Sequence, residues 1–404
     1  MDLFVLKNEL QQELLAILNY WTQHTIDNEQ GGFYGRLDND NTFYTDAPKG
    51  CVLNARILWT FSAACHLTGD EQYAVIARRA FAYIQQNFID PEHGGAYWSV
   101  TSSGEPLDTK KQIYAQAFVV YACSEYYRVL SEEPAKQLAI DLYNLVQEKS
   151  FDPVHGGYFE AYSRNWQPID DLRLSDKDAN EKKTMNTHLH VLEAYTCLYR
   201  IWPNEQLKQH IKLLLANFEQ HIIDAHTGHL HLFFDEQWQV KSGAISYGHD
   251  IEASWLLQEA AEVIKDEELI AKMKALAVTM AEAVIIGIDI DGGLWYEYDA
   301  AHNKLIKEKH WWPQAEALVG FYNAWQVSGR HEFLQLAINN WAFIKQYMRD
   351  NENGEWFWGV LEDHTVMPGQ DKAGLWKCPY HNGRACMEII RRIEVCQVSK
   401  TWHT

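Results

Sequence analysis

Three histidines sit at the starts of separate apolar helical runs: His190 in MNTHLHVLEAY, His249 in SYGHDIEASWLL and His381 in KCPYHNGRACMEII. Imidazole titrates close to neutrality, so it can be a base in one position and an acid in another. Several histidines without metal-binding spacing point to proton transfer at carbon, and two of them on opposite faces of one carbon could invert it. A helix start also disfavours the imidazolium, which suits a neutral base. A lone histidine on such a helix is ordinarily a hydrogen-bonded core residue. Three at equivalent places in one chain are harder to explain that way.

Other chemistries lack their residues. There is no HExxH and no His-x-His pair on one helix face, so no metal is expected. No GxSxG elbow is present, and no cysteine has the context of an activated nucleophile. The Gly-rich stretches do not lead directly into helices, as a phosphate loop would. No cofactor is expected.

Further polar and aromatic groups occupy the remaining helix starts: Arg56 in GCVLNARILWTF, Tyr114 in KQIYAQAF, Asn186 ahead of His190, and Trp312 in KHWWPQAEALVGF. Asn186, His190 and Glu193 follow at i, i+4 and i+7 and share a face. Glu252 stands three after His249 and Glu316 four after Trp312, carboxylates placed to orient an imidazole and fix its tautomer. Pro313 suits a first helical turn. His188 points about 160° away from His190 on the same helix, so it is assigned to structure.

What positions these groups is a repeat. A Gly-Gly or Gly-x pair followed by aromatics recurs six times, as GGFYGRLD from Gly31, GGAYWSV from Gly94, GGYFEAY from Gly156, GHLHLFF from Gly228, GGLWYEY from Gly292 and GEWFWGV from Gly354. The steps are 63, 62, 72, 64 and 62 residues, and no linker or low-complexity tract interrupts them. One supersecondary unit is therefore repeated along the whole chain, read as one domain over 1–404.

Two helices fit each interval. The periodicity predicts helices near 3–24, 51–68, 71–89, 112–130, 134–150, 186–201, 204–222, 249–265, 266–286, 312–328, 331–349 and 381–396. Gly69, Gly329 and Pro203 supply stops. Six helical hairpins close most simply as two concentric rings, an all-α (α/α)6 barrel with its short strands and long loops at one end. An open solenoid is the alternative. The longer connection runs from each Gly-aromatic element to the next helix, so those loops should rim the cavity and those helices should form the inner ring.

Composition narrows the ligand. A formal charge of −20 disfavours nucleic acid and anionic membrane, which need clustered Lys and Arg. The 16 Trp, 21 Tyr and 16 Phe allow both core packing and stacking platforms for sugar faces. Seven scattered cysteines without a CxxC pair suggest reduced thiols and a cytoplasmic protein. The first twenty residues read as an amphipathic helix rather than a signal peptide, and no stretch is apolar for long enough to span a bilayer. One large barrel needs no partner, so a monomer is expected.

The motifs NTHLHVLEAY, SYGHDIEASWLL, KHWWPQAEALVGF and KCPYHNGRACMEI, in this order, resemble the N-acylglucosamine 2-epimerase superfamily, and most closely its disaccharide-epimerising branch. The resemblance extends from LNARILWTF to the C-terminal histidine motif. It implies an (α/α)6 barrel that epimerises the reducing-end glucose of β-1,4-linked disaccharides at C2, turning cellobiose into glucosyl-mannose and lactose into epilactose. It also implies that His249 and His381 remove and return the C2 proton and that His190 is a third essential histidine. Arg56, Tyr114 and Asn186 would hold the reducing-end sugar, with Trp312 beside it. Trp376 would stack on the non-reducing sugar, and Asp178 in the SDKDAN loop would contact substrate. Monosaccharide members acting on N-acetylglucosamine or mannose are the near alternatives. A glycoside hydrolase using Glu252, Glu316 or Asp178, and a non-catalytic sugar-binding protein, are the more distant ones.

Overall fold

The inner-ring sequences are apolar on every face, and the chain buries them accordingly. In the computed structural model, which describes residues 2–401 with side chains through 396, every residue from Cys51 to Cys65 and from Ile113 to Tyr126 is buried. The outer sequences bury one stripe and expose the other, as surface helices do. The inner ring is α2 (Cys51–Thr68), α4 (Ile113–Leu130), α6 (Met185–Ile201), α8 (Tyr247–Ile264), α10 (Trp311–Ser328) and α12 (Tyr380–Thr401). Each packs on the next, and α12 packs on α2, so the ring closes. The outer ring is α1 (Leu3–His24), α3 (Glu71–Tyr83), α5 (Glu133–Lys149), α7 (Glu205–Asn217), α9 (Glu267–Val284) and α11 (His331–Phe343). The architecture is the (α/α)6 barrel. No helix among the described residues is long and apolar enough to cross a membrane.

The helices fall within a few residues of their expected bounds, and Gly69 and Gly329 end α2 and α10 in the left-handed conformation. One difference is systematic. The runs expected over 71–89, 204–222 and 331–349 end in a π turn, at Ile84–Phe88, Phe218–Ile222 and Ile344–Met348. The wider turn lets the chain leave the outer ring and fold back, since each is followed at once by a bridge to the next Gly-aromatic element: Ile89 to Ala96, Ile223 to Leu230, Arg349 to Trp356.

Each Gly-aromatic element is a β-like hinge between units. The leading glycine of each holds positive φ, and at Gly157 (φ 80°) a Cβ would stand 2.4 Å from the Trp238 ring. The following residues pair antiparallel with a two-residue strand that feeds the preceding inner helix: Ser99–Val100 with Lys49–Gly50, Ala161–Tyr162 with Lys111–Gln112, Phe233–Phe234 with Lys183–Thr184. Two kinds of bond recur at the hinges, both of them at those of Gly94, Gly156 and Gly292. A buried lysine two residues before the inner helix reaches the aspartate ahead of the glycines, as in Lys49–Asp27 (2.7 Å), Lys111–Asp90 (3.0 Å), Lys183–Asp152 (2.7 Å) and Lys309–Asp289 (2.7 Å). The fourth residue of the inner helix accepts a backbone N–H from the hinge: Gln116 from Ala96, His188 from Tyr158, Asp250 from Leu230, Gln314 from Leu294.

The ring is shut by chain segments far apart in sequence. Leu37 exchanges backbone hydrogen bonds with Ala373 at 3.0 and 3.2 Å, and α1 pairs with α12 as the sixth hairpin.

Candidate active site

On each inner helix the second and sixth residues turn toward the barrel axis, being one turn apart on one face. They include Tyr114 on α4, Asn186 and His190 on α6, Trp312 and Glu316 on α10, His381 on α12, Arg56 on α2 and Glu252 on α8. His249 is the exception, the third residue of α8, because its second residue, Gly248, lies under the Trp312 ring.

These groups form a continuous wall. Arg56 donates from Nη2 to the Tyr114 hydroxyl at 2.8 Å and lies over the Phe118 ring at 4.3 Å. The edge of Tyr114 meets His190 with centroids 5.0 Å apart. Across the cavity, Trp312 contacts His249 at 4.6 Å and His381 at 5.8 Å. Trp376 is half-buried and packs edge-on against Tyr114 at 5.8 Å and Trp98 at 5.6 Å.

Each histidine has a different partner on Nδ1. Glu193 holds His190 at 2.9 Å, Glu316 holds His381 at 2.7 Å, and the Ser246 hydroxyl holds His249 at 2.7 Å. Glu252 therefore does not orient His249, its sequence neighbour. At i+3 its side chain runs deeper along α8, and Arg384 takes its Oε1 at 2.7 Å. Glu316 does orient an imidazole as expected, that of His381 across on α12.

Burial disfavours the charged form of all three imidazoles. His249 is pushed down to about 3, mainly by burial. His381 lies well below its usual range through burial and the nearby Arg56 and Arg384, and His190 is lowered by burial first. All three are neutral at pH 7. Burial alone would raise Glu193, but Arg384, His190 and Tyr380 hold it down at about 2. An ionised Glu193 only accepts, so His190 carries its proton on Nδ1 and turns an Nε2 lone pair to the cavity. Ser246 can donate or accept, so His249 is free to present either tautomer.

Arg384 was not foreseen. It is buried at 1% exposure, bonds Glu193 and the Tyr380 hydroxyl through Nη1, and bonds Glu252 and Glu316 through Nη2, each at 2.7 Å. One atom each of Glu252, Glu316 and His381 lie within 4.8 Å of one another, a spacing that would suit a metal ion. The guanidinium is already the cation these two carboxylates share. Its one sequence signal is a basic residue inside the apolar run after His381.

At the mouth, Asp178, Asn186, Ser246, His249, Tyr296 and Glu297 line a cavity of about 140 Å³. Asp178 accepts from the Ser175 N–H and hydroxyl within its own loop, at 2.9 and 3.0 Å. Tyr296 is the fifth residue of its Gly-aromatic element and Glu297 the next, and neither was read as a site residue. Burial, with Asp299 and Asp178 close by, raises Glu297 to about 6. The Asn186 Oδ1 and Arg56 Nε are buried without a hydrogen-bond partner among the described residues, and Asn186 lines the cavity. His188 lies outside the site; it bonds Tyr158 N–H and Thr184 O in the hinge.

The fold defines an (α/α)6 barrel that gathers histidines, aromatic rings and hydrogen-bonding side chains at one end of its inner ring. The chain belongs to the N-acylglucosamine 2-epimerase family, whose sequence model matches residues 31–385. A cellobiose 2-epimerase of Bacteroides fragilis is 48% identical over 387 residues, covering 96% of this chain and 99% of the relative. The solved cellobiose 2-epimerase of Bacillus thermoamylovorans superimposes with a TM-score of 0.91 at 39% identity, covering 96% of this chain and 99% of that one. A D-mannose isomerase structure shares the fold, with a TM-score of 0.82 at 22% identity over 95% of this chain and 98% of the other.

Proposed function

We propose that this chain is a cellobiose 2-epimerase, inverting C2 of the reducing-end glucose of cellobiose and related β-1,4-linked disaccharides. The observation that carries the reading is the pair of neutral, buried imidazoles, His249 and His381, in contact with the same Trp312 ring and held by different Nδ1 partners. Likeness to cellobiose 2-epimerases over nearly the whole chain supports the disaccharide. So does a cavity that runs from His249 and Asn186 to Asp178, Tyr296 and Glu297, room that a monosaccharide would leave unused.

In the proposed reaction the hemiacetal opens, the His190 Nε2 lone pair taking the anomeric hydroxyl proton and passing it to the ring oxygen as the C1–O5 bond breaks. The exposed aldehyde acidifies the C2 proton, which one histidine removes to leave a cis-enediolate. Arg56 donates to the developing oxyanion. Rotation about C2–C3 presents the other face, and the second histidine returns a proton. Return to C1 instead gives a ketose, so slow aldose-ketose isomerisation accompanies epimerisation. Glu252 and Glu316 both bond to Arg384 and are 1% exposed, which argues against their flanking a glycosidic bond. All these residues come from one chain, consistent with a monomer, and the six buried thiols of Cys51, Cys65, Cys123, Cys197, Cys378 and Cys386 suit a reducing compartment.

Cellobiose incubated with the protein in D2O and followed by NMR tests the scheme. Glucosyl-mannose labelled with deuterium at C2 is the expected product. Unlabelled epimer would refute proton exchange at C2, and free glucose would indicate hydrolysis.

A further inference from the structure

Glu252 on α8 and Glu316 on α10 bond the same nitrogen of Arg384, each at 2.7 Å, and both are 1% exposed. Two carboxylates held this close away from water do not both stay ionised unless enough positive charge faces them. What faces them can be named helix by helix. Arg56 comes from α2 and the neutral Tyr114 from α4. From α6 comes Glu193, ionised and itself bonded to Arg384 and His190. From α12 come Tyr380, His381 and Arg384. Two guanidinium charges thus stand against three carboxylates, and one proton among the three makes the cluster neutral. Glu193 is the one held ionised, so the proton falls to the pair. Burial raises both Glu252 and Glu316, with Glu316 adding to the rise at Glu252.

We propose that Glu252 and Glu316 share one proton behind His381, and that its position decides whether His381 meets substrate as a base or as an acid. With the proton on Glu252, ionised Glu316 accepts from His381 Nδ1–H at 2.7 Å and the Nε2 lone pair faces the cavity as a base. With the proton on Glu316, that bond reverses and His381 presents Nε2–H. Donation from Nε2 to the C2 carbanion is then matched by transfer of the Glu316 proton to Nδ1. One N–H and one O–H bond break, one C–H and one N–H bond form, and His381 stays neutral while the carboxylate pair takes up the negative charge. Glu252 never touches the sugar and acts as a positioning residue. The proposal deepens the epimerase reading and rests on it for its catalytic half.

Infrared difference spectra and pH profiles of wild type, Glu252→Gln and Glu316→Gln form the test. Wild type at pH 7 is expected to show one protonated-carboxyl band that disappears in each single variant, because the remaining carboxylate ionises against Arg384 once its like-charged neighbour is gone. Buried Glu160 gives a similar band in all three proteins and cancels. In Glu252→Gln, kcat/KM is expected to fall about tenfold or more, equally in both directions since the equilibrium constant is fixed, and the alkaline limb to move down by about one pH unit with KM within about twofold. A band that survives in Glu316→Gln would show that Glu252 owns the proton alone. Absence of the band from wild type, or an unchanged pH profile in Glu252→Gln, would overturn sharing altogether. The infrared readout needs no turnover, and if a variant fails to fold, Glu160→Gln identifies the Glu160 band in wild type, so that the band left over reports the pair. If wild type shows the band but does not epimerise cellobiose, the function has failed and the shared proton stands.

Discussion

Trp312 reaches both histidines only because residue 248 has no side chain. A Cβ there would stand 2.6 Å from two atoms of the Trp312 ring and 3.0 Å from the Pro313 Cβ, so Gly248→Ala must push the indole away from His249 and His381. We expect kcat/KM to fall about tenfold to a hundredfold, against about 1–3 kcal/mol of lost stability, both accessible from steady-state kinetics and urea titration of one preparation. The histidines themselves give a sharper signature. In His249→Asn or His381→Asn, epimer formation should drop about 10²–10⁴-fold, while the surviving imidazole still exchanges the C2 proton with D2O on its own face. Deuterium entering unepimerised cellobiose in one variant and unepimerised glucosyl-mannose in the other is the expected observation. Two single variants that both epimerise at near wild-type rates would remove the two-base scheme.

The inner helices show what an isolated sequence can and cannot disclose. Their boundaries followed from 3.6-residue periodicity and Gly stops, and the axis-facing residues from their spacing, because both are local. The partners of those residues were not local. Glu252 belongs to Arg384 and His381 rather than to His249, and Arg384 is explained only when α6, α8, α10 and α12 converge on it. His188 could be set aside because it faces away from His190, but its task became visible only beside Gln116 and Gln314, which hold their own hinges from the same helical position. That equivalence makes a prediction. His188→Gln should fold with near wild-type stability, whereas His188→Ala leaves the Tyr158 N–H buried without an acceptor, costing about 1–3 kcal/mol. Burial holds His188 down at about 4, below the unfolded value near 6.5, so the unfolded chain binds more protons between these limits. Stability from this residue is complete above about pH 6.5 and is lost as pH falls toward 4, by about 3 kcal/mol in all. Denaturant titrations across that window should be flatter in His188→Gln than in wild type.

At the scale of the whole molecule, the six units make a ring only because the last hairpin is assembled from both ends of the chain. Around that seam, Glu13 on α1 accepts from Trp356 Nε1 at 2.7 Å and pairs with Arg349 at 3.0 Å, and Trp21 donates to Glu355 at 2.6 Å. Glu355 also takes Lys377 and Asn382, on either side of His381, so the seam and the active site share a support. Replacing Glu13 by alanine leaves a buried indole N–H and a guanidinium without their acceptor. We expect about 2–4 kcal/mol of destabilisation, visible as a lower urea midpoint, with kcat/KM at 25 °C nearly unchanged. An unchanged midpoint would mean that the seam contributes little to holding the ring shut.

The seam also orders events in time. A chain made from its N-terminus delivers α1 first and α12 last, so α1 is synthesised some 350 residues before the helix that completes its hairpin. Throughout that interval α1 has an apolar face to shield, and the nascent barrel has an open side to α2 and α10. The same late helix brings His381 and Arg384, so on the two-histidine scheme we expect interrupted translation to release products that are both unclosed and chemically silent. A ribosome stalled before Tyr380 makes no slow or promiscuous epimerase, only a client for chaperones and proteases.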